Sequence, residues 1–314
     1  VSQTSADRGD PLAVLIAGPT ASGKSALGLA LAERLGGEII NADSMQVYRD
    51  LRIVTARPSV EEEALTPHHL YGHVPAGTAY STGQWLTDAV AALEGVQVRG
   101  KVPIILGGTG LYFRALTEGF VEIPPIPDDV RTATRAEVEK IGPAAAHVLL
   151  ATVDPLWAEQ VHENDPQRIA RGLEVFRATE RPLTAWQADP VQPPHLGAAL
   201  KVVLEPEREW LIERIHRRFG MMVEAGALSE VDALLAQHLS PTLPVMKALG
   251  VPELAGHLSG DLTLEEAQDS ASIKSRQYAK RQSTWFRQQM ISWNKVFAQD
   301  LESQTAEIFS FIDE

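Results

Sequence analysis

Short apolar runs that close on glycine or a polar turn alternate along this chain with stretches whose apolar residues recur every three or four positions. The run "LAVLIAG" at 12–18 is followed by "GPTASGKS" at 18–25. Then comes "SALGLALAERLGG", where Leu27, Leu31 and Leu35 repeat at helical spacing, so the order reads strand, loop, helix. A second run, "EIINADS" at 38–44, carries Asp43 near its C-terminal end, and a third, "KVPIILGGTG", closes on Gly107, Gly108 and Gly110. "KVVLEP" at 201–206 reads as a further strand, and the remainder of the chain as helices. "DSMQVY", from Asp43, has the look of a helix start. Strands that alternate with helices predict a parallel sheet whose ligands gather at the carboxyl ends of the strands. On that reading residues 18–25, Asp43 and Thr109 meet at one edge.

The pattern changes after Phe120. "VEIPPIPDDV" at 121–130 holds three prolines, and "DPVQPPHLG" at 189–197 is a second proline-rich stretch. Between them the spacing is helical. The clearest case is "NDPQRIARGLEVFRATERP", where Asp165 can cap, Pro166 suits a first turn, and Ile169, Leu173 and Phe176 form the expected buried stripe. The predicted architecture is α/β, a P-loop NTPase-like parallel sheet core flanked by helices. The core is expected over 11–121 and 198–314, a helical insertion over 122–197, and a disordered lead-in over 1–10.

Composition narrows the class. With 44% hydrophobic and 22% charged residues, 314 residues exceed the usual single domain, and no apolar run approaches the roughly 18 residues of a membrane span. The N-terminus lacks the basic start and apolar middle of a signal peptide. The absence of cysteine excludes disulfides and thiolate metal sites. A cytoplasmic, monomeric protein is expected. Net charge is −13, which by itself argues against a nucleic-acid partner, yet Ser270–Gln299 contains no Asp or Glu while carrying Lys274, Arg276, Lys280, Arg281, Arg287 and Lys295. An acidic body with one basic stripe is compatible with steering a polyanion to one place; a solvated helix face accounts for the charges equally well.

The loop Gly18, Pro19, Thr20, Ala21, Ser22, Gly23, Lys24, Ser25 fits G-x-x-x-x-G-K-[ST] at every fixed position. In such a loop backbone N–H groups and the helix N-terminus cradle phosphate, Lys24 reaches the outer phosphate, and the Ser25 hydroxyl is a Mg²⁺ ligand. Small-molecule kinases, ATPases and GTPases share this nucleotide-binding cradle, so it does not name a reaction. Asp43 at the next strand tip suits a base, a magnesium ligand or an N-cap. In "EREWLIERIHRRFGMM", Arg214 and Arg218 share one helical face, with Leu211, Ile215 and Phe219 in a parallel apolar row. His68, His69 and His73 in "PHHLYGH" have no cysteine or carboxylate close by in sequence, and a zinc site is not expected.

The ordered segments "GPTASGKS", "NADSMQVYR", "GGTGLYFRAL", "NDPQRIARGLEVFR", "RIHRRFGMM" and "SRQYAKRQSTWFR" resemble the successive motifs of bacterial tRNA dimethylallyltransferases, the isopentenyl-tRNA transferases. The resemblance runs from about residue 12 to about residue 288. It implies transfer of a dimethylallyl group from dimethylallyl diphosphate to N6 of the adenosine just 3′ of the tRNA anticodon. It further implies that Asp43 takes the amine proton, that Thr109 contacts the reacting groups, and that Lys24, the loop, Arg214 and a Ser25-bound Mg²⁺ hold the diphosphate. The family's catalytic arginine falls in the "RRF" segment, with Arg218 favoured over Arg214. It also implies tRNA contacts at Asp43, Ser44, Met45, Gln46, Thr109, Arg131, Gln167, Arg168, Ile169, Ala170, Arg171, Arg276, Lys280, Arg281 and Arg287. Trp285 and Phe286, interleaved with the late basic residues, fit base stacking or plain core.

The chain departs from the family pattern at "VTARP" (54–58), "GV" (250–251) and "SR" (275–276); Arg57 in the first keeps the usual positive charge but changes its geometry. Three other readings compete: a P-loop kinase for a small hydroxyl compound, a prenyltransferase for free adenine nucleotides, and a nucleotide-gated RNA-binding regulator. The first leaves the insertion and the late basic helix unexplained, and the second has no need of an anticodon-gripping insertion.

Overall fold

The computed structural model describes residues 13–191, Pro193, Leu196 and 198–313. The expected lead-in over 1–10 and part of the second proline-rich stretch lie outside these. The chain divides into two compact units, Val1–Thr117 with Pro194–Glu314, and Glu118–Pro193. The second unit thus begins and ends a few residues earlier than the proline pattern suggested.

In the larger unit β1 (Ala13–Ala17) leads through the glycine loop into α1 (Lys24–Leu35), then β2 (Gly37–Asn41), α2 (Val60–Leu65), β3 (His68–His69), α3 (Thr82–Val98), β4 (Val102–Gly107) and α4 (Gly110–Glu118). The smaller unit contains α5 (Asp128–Ile141), α6 (Pro143–Val153), α7 (Pro155–Gln160), α8 (Pro166–Thr179) and α9 (Leu183–Gln187). The larger unit resumes with β5 (Ala199–Leu204), α10 (Arg208–Glu224), α11 (Ala227–Leu235), α12 (Val251–Leu258), α13 (Leu264–Gln289), β6 (Asn294–Val296) and α14 (Leu301–Asp313). The strands form one sheet in the order β3-β2-β4-β1-β5-β6, every neighbouring pair parallel.

Both faces of that sheet are covered, which is why β1 is apolar at every position rather than alternating. Ala13, Leu15 and Ala17 pack on one side with Trp85, Leu93, Phe113 and Phe286. Val14 and Ile16 pack on the other with Leu27, Leu31 and Ile308. A separate cluster joins Val47, Tyr48, Leu51 and Val54 to Phe219, Met222, Val231 and Leu254, and so anchors the segment that follows Asp43. Glu230 tightens this anchor by accepting from the N–H groups of Arg52, Ile53 and Val54.

Several sequence expectations change. The remainder after β5 is not all helical, because β6 pairs with β5, and the histidine-rich stretch supplies β3 at the opposite edge. "DSMQVY" forms turns rather than a helix: the Asp43 carboxylate accepts from Met45 N–H, an Asx turn that diverts the backbone. In α8, Asp165 caps through Arg168 N–H as expected, while Val175 is fully buried and Phe176 only half-buried. Among the described residues no helix is long and apolar enough to cross a membrane.

Candidate active site

Sheet order places a switch point at β1, flanked by β4 on one side and β5 on the other, and the glycine loop leaves β1 at its carboxyl end. The loop folds back on its own lysine. Lys24 Nζ donates to the carbonyls of Gly18 (2.8 Å) and Pro19 (2.7 Å). Burial lowers its pKa from 10.5 to about 7, with Asp43 pulling it up and Arg218 pushing it further down. Ser22 N–H bonds to the Pro19 carbonyl, Ala21 takes a positive φ of 65°, and Ser25 is exposed in the first turn of α1.

Both arginines of α10 reach this loop. Arg218 Nη2 donates to the Thr20 hydroxyl at 2.5 Å, and Arg214 Nε donates to the Ala21 carbonyl at 3.0 Å. They are not equivalent. Arg218 is half-buried, and burial lowers its pKa to about 10, opposed by Asp43 and reinforced by Arg214. Arg214 is exposed and lies over the Trp210 ring at 4.5 Å. Leu211, Ile215 and Phe219 form the buried row beside them.

Asp43 and Thr109 leave adjacent strands. Asn41, fully buried, donates to the carbonyls of Asp43 (2.9 Å) and Leu70 (3.0 Å) and accepts from Asp43 N–H at 2.8 Å. Thr109 Oγ1 accepts from Ser44 N–H at 2.9 Å. Gly107 permits the approach, since a Cβ there would lie 2.1 Å from the Ala42 backbone carbonyl. Trp85 supports the same corner, donating to the Asn41 carbonyl at 2.8 Å and stacking on Tyr112 at 4.2 Å. Burial, and after it the Asp43 charge, pushes the hydroxyls of Tyr71, Tyr112 and Tyr278 up, so these rings stay neutral beside the carboxylate. The edge therefore combines a glycine loop, the basic side chains of Lys24, Arg214 and Arg218, one carboxylate and neutral aromatic groups.

The remaining candidates separate by environment. Gln46 Nε2 is committed to the carbonyls of Thr55 and Ala56, both at 2.9 Å, and Met45 packs partly against the Val47 cluster. Arg57 turns inward, donating to the carbonyls of Tyr48 and Arg49, so the departure at this position serves the loop backbone. On α13, Arg276, Lys280 and Arg281 are exposed and have no ion pair among the described residues, although Arg281 lies over Tyr278. The rest of the basic stripe is paired: Lys274 with Glu253, and Arg287 and Lys295 both with Glu205. Phe286 is core, and Trp285 packs partly against that core with its ring on Gly110.

In the smaller unit Gln167 and Arg168 are exposed, with Arg168 over the Trp157 ring at 4.9 Å. Ile169 and Ala170 point into the unit's core, so their side chains are not surface contacts. Arg171 is half-buried; burial lowers its pKa, against Glu174 and together with Arg131 and Arg135. Arg131 bonds Asp128 at 3.1 Å, and Arg135 bonds the buried Glu174 at 2.8 Å. The three histidines go separate ways, His68 to the Thr66 carbonyl, His69 to Glu38 and His73 to Tyr80.

Sequence reasoning missed Asn41, Trp85, Gln282 and Gln304. Gln282 bonds Thr20 N–H and the Gly108 carbonyl, and Gln304 donates to the Ser22 carbonyl. For Asn41 and Gln282 the available signal was a polar residue at a position that the periodicity assigns to the interior.

The chain is similar to known proteins along most of its length. The IPP transferase family profile matches residues 46–289, and an isopentenyl transferase profile matches residues 12–71. The tRNA dimethylallyltransferase of Parvibaculum lavamentivorans is 56% identical over 302 residues, 96% of each chain. The full-length tRNA isopentenylpyrophosphate transferase of Bacillus halodurans superposes with a TM-score of 0.67 at 35% identity, covering 96% of this chain and 95% of that one. A eukaryotic dimethylallyltransferase acting on tRNA superposes with a TM-score of 0.78 at 29% identity, covering 92% of this chain and 74% of that one. The matches along nearly the whole chain lead to one conclusion: this chain belongs to the IPP transferase family.

Proposed function

We propose that the protein transfers the dimethylallyl group of dimethylallyl diphosphate to N6 of the adenosine 3′-adjacent to the anticodon in tRNA, releasing diphosphate. The observation that carries this reading is the meeting of the Lys24–Arg218 cation pair with Asp43 at one sheet edge. Breaking the allylic C–O bond builds negative charge on the departing diphosphate. Lys24, Arg218 and the N–H groups that open α1 bind that charge more strongly as it develops, which lowers the barrier. The adenosine amine is a weak nucleophile because its lone pair is delocalised into the ring. Asp43 orients the amine and accepts its proton as the N–C bond forms, with Thr109 holding the same loop.

Magnesium fits the residues present. Ser25 is exposed at the loop's end, in the first turn of α1, where its hydroxyl would be available to a cation. One hydroxyl, substrate phosphate oxygens and water form the coordination this ion favours, and when bound it neutralises diphosphate charge. In the larger unit Arg276, Lys280 and Arg281 on α13 offer donors suited to a phosphate backbone; within the smaller unit the exposed Gln167 and Arg168 and the half-buried Arg131 and Arg171 offer the same chemistry. The protein acts as a monomer in this reading.

The test is to incubate the protein with undermodified tRNA, dimethylallyl diphosphate and Mg²⁺ and to weigh the digested nucleosides. An adenosine heavier by one dimethylallyl group is expected. An unshifted adenosine mass, or ATP turnover dependent on a small hydroxyl acceptor, would reject the proposal, and prenylation of free adenine nucleotide in preference to tRNA would redirect it.

A further inference from the structure

Gln282 sits on the buried face of α13 with Ser275, Ala279 and Phe286, and is 6% exposed. A carboxamide is stable in such a place only when both its ends are bonded. Its Oε1 accepts from Thr20 N–H at 2.9 Å, and its Nε2 donates to the Gly108 carbonyl at 2.8 Å. Gly108 makes room for it, since a Cβ at that position would lie 2.3 Å from Nε2. At one end Thr20 receives Arg218 on its hydroxyl, and at the other Thr109, next to Gly108, receives Ser44 N–H beside Asp43.

We infer that Gln282 is a positioning residue for the transfer reaction: its single amide plane spans the loop that holds the leaving diphosphate and the loop that holds the acceptor amine, and sets their separation. The inference rests on the transferase reading. A primary amide accepts and donates from one rigid group, which is what two loops offering one N–H and one carbonyl require. An ionised Glu at 282 accepts but cannot donate, and it faces the Gly108 carbonyl with a negative charge. Leu does neither. Gln304 on α14 supplies the contrast, since it donates to the carbonyls of Ser22 (3.4 Å) and Ala298 (3.0 Å) and so braces the diphosphate loop alone.

The experiment compares wild type with Gln282→Leu, Gln282→Glu and Gln304→Leu by prenyl-transfer kinetics and by amide hydrogen exchange in the ligand-free protein. For Gln282→Leu, kcat should fall about 10- to 100-fold with each substrate's KM within about threefold, the signature of lost alignment rather than lost binding. Gln282→Glu should recover toward wild type as pH is lowered from about 8 to about 5.5, because the protonated carboxyl again accepts and donates. Gln304→Leu should move the KM for dimethylallyl diphosphate without any such pH recovery. Exchange at the Thr20 amide should accelerate at least about tenfold in Gln282→Leu.

Wild-type kcat in Gln282→Leu, or a Gln282→Glu pH profile parallel to that of wild type, would overturn the inference. So would unchanged Thr20 exchange. If wild type itself fails to prenylate tRNA, the functional reading falls, while the exchange result still decides whether Gln282 holds the loop. If Gln282→Leu does not fold, the two ionisation states of Gln282→Glu, compared within one protein, carry the test.

Discussion

Replacing Lys24 by Met removes an ammonium that the fold holds against its own stability. Burial is the main reason its pKa falls from 10.5 to about 7. That gap corresponds to about 5 kcal/mol at about 1.36 kcal/mol per pH unit, an upper bound because the residue keeps some exposed surface. The folded-state pKa lies below that of the unfolded chain, so between about pH 7 and 10.5 the unfolded chain binds more protons. The contribution of Lys24 to wild-type stability therefore rises across that window and is lowest below pH 7. Lys24→Met lacks this dependence. The wild-type unfolding free energy minus that of the variant should increase by about 2 kcal/mol between pH 7 and 9, with the slope starting near half of about 1.4 kcal/mol per pH unit at pH 7 and approaching that limit above pH 8. The Gly18 and Pro19 carbonyls left without the ammonium cost the variant about 1–3 kcal/mol each, an offset that does not alter the slope. Denaturant unfolding of both proteins at pH 6, 7, 8 and 9 measures the difference, and saturating pyrophosphate should flatten it by restoring the ammonium. A difference that stays constant or falls from pH 7 to 9 would refute the reasoning.

Asp43→Asn should lower the single-turnover transfer rate about 10²- to 10⁴-fold while filter binding shows tRNA affinity within about threefold of wild type. Arg218→Lys should lower kcat by about 10² or more and Arg214→Ala by less than about tenfold, because Arg218 is the more enclosed and holds the Thr20 hydroxyl; steady-state kinetics on the two variants checks the ranking. Lys280→Ala should weaken tRNA binding and reduce the slope of log K against log salt by about 0.7–0.9, read from titrations at several salt concentrations. Gly107→Ala should destabilise the protein by at least about 2 kcal/mol, because its Cβ would meet backbone rather than a flexible side chain; thermal denaturation measures this.

What was legible in the sequence was local. The strand, loop and helix around Gly18–Ser25 were readable because burial on both sheet faces leaves an unbroken apolar run and α1 keeps its period. The start of α8 was readable because Asp165 and Pro166 carry cap chemistry within one turn. β3 and β6 were not, since two or three residues have no period of their own and become strands only by pairing with β2 and β5. The basic stripe over α13 and β6 was visible, but the pairing of Arg287 and Lys295 with Glu205 was not, because that carboxylate arrives from the end of another strand.

The sequence by itself determined the glycine loop with its flanking strand and helix and the start of α8, because backbone sterics, capping and periodicity act over a few neighbouring residues. Only the tertiary structure decided that Arg218 rather than Arg214 is the enclosed cation, that Asn41 orients Asp43, and that Gln282 joins two loops. Thr20 and Gln282 are 262 positions apart, and no local rule encodes which distant partner will satisfy a buried amide; the packing of α13 against the carboxyl edge of the sheet does.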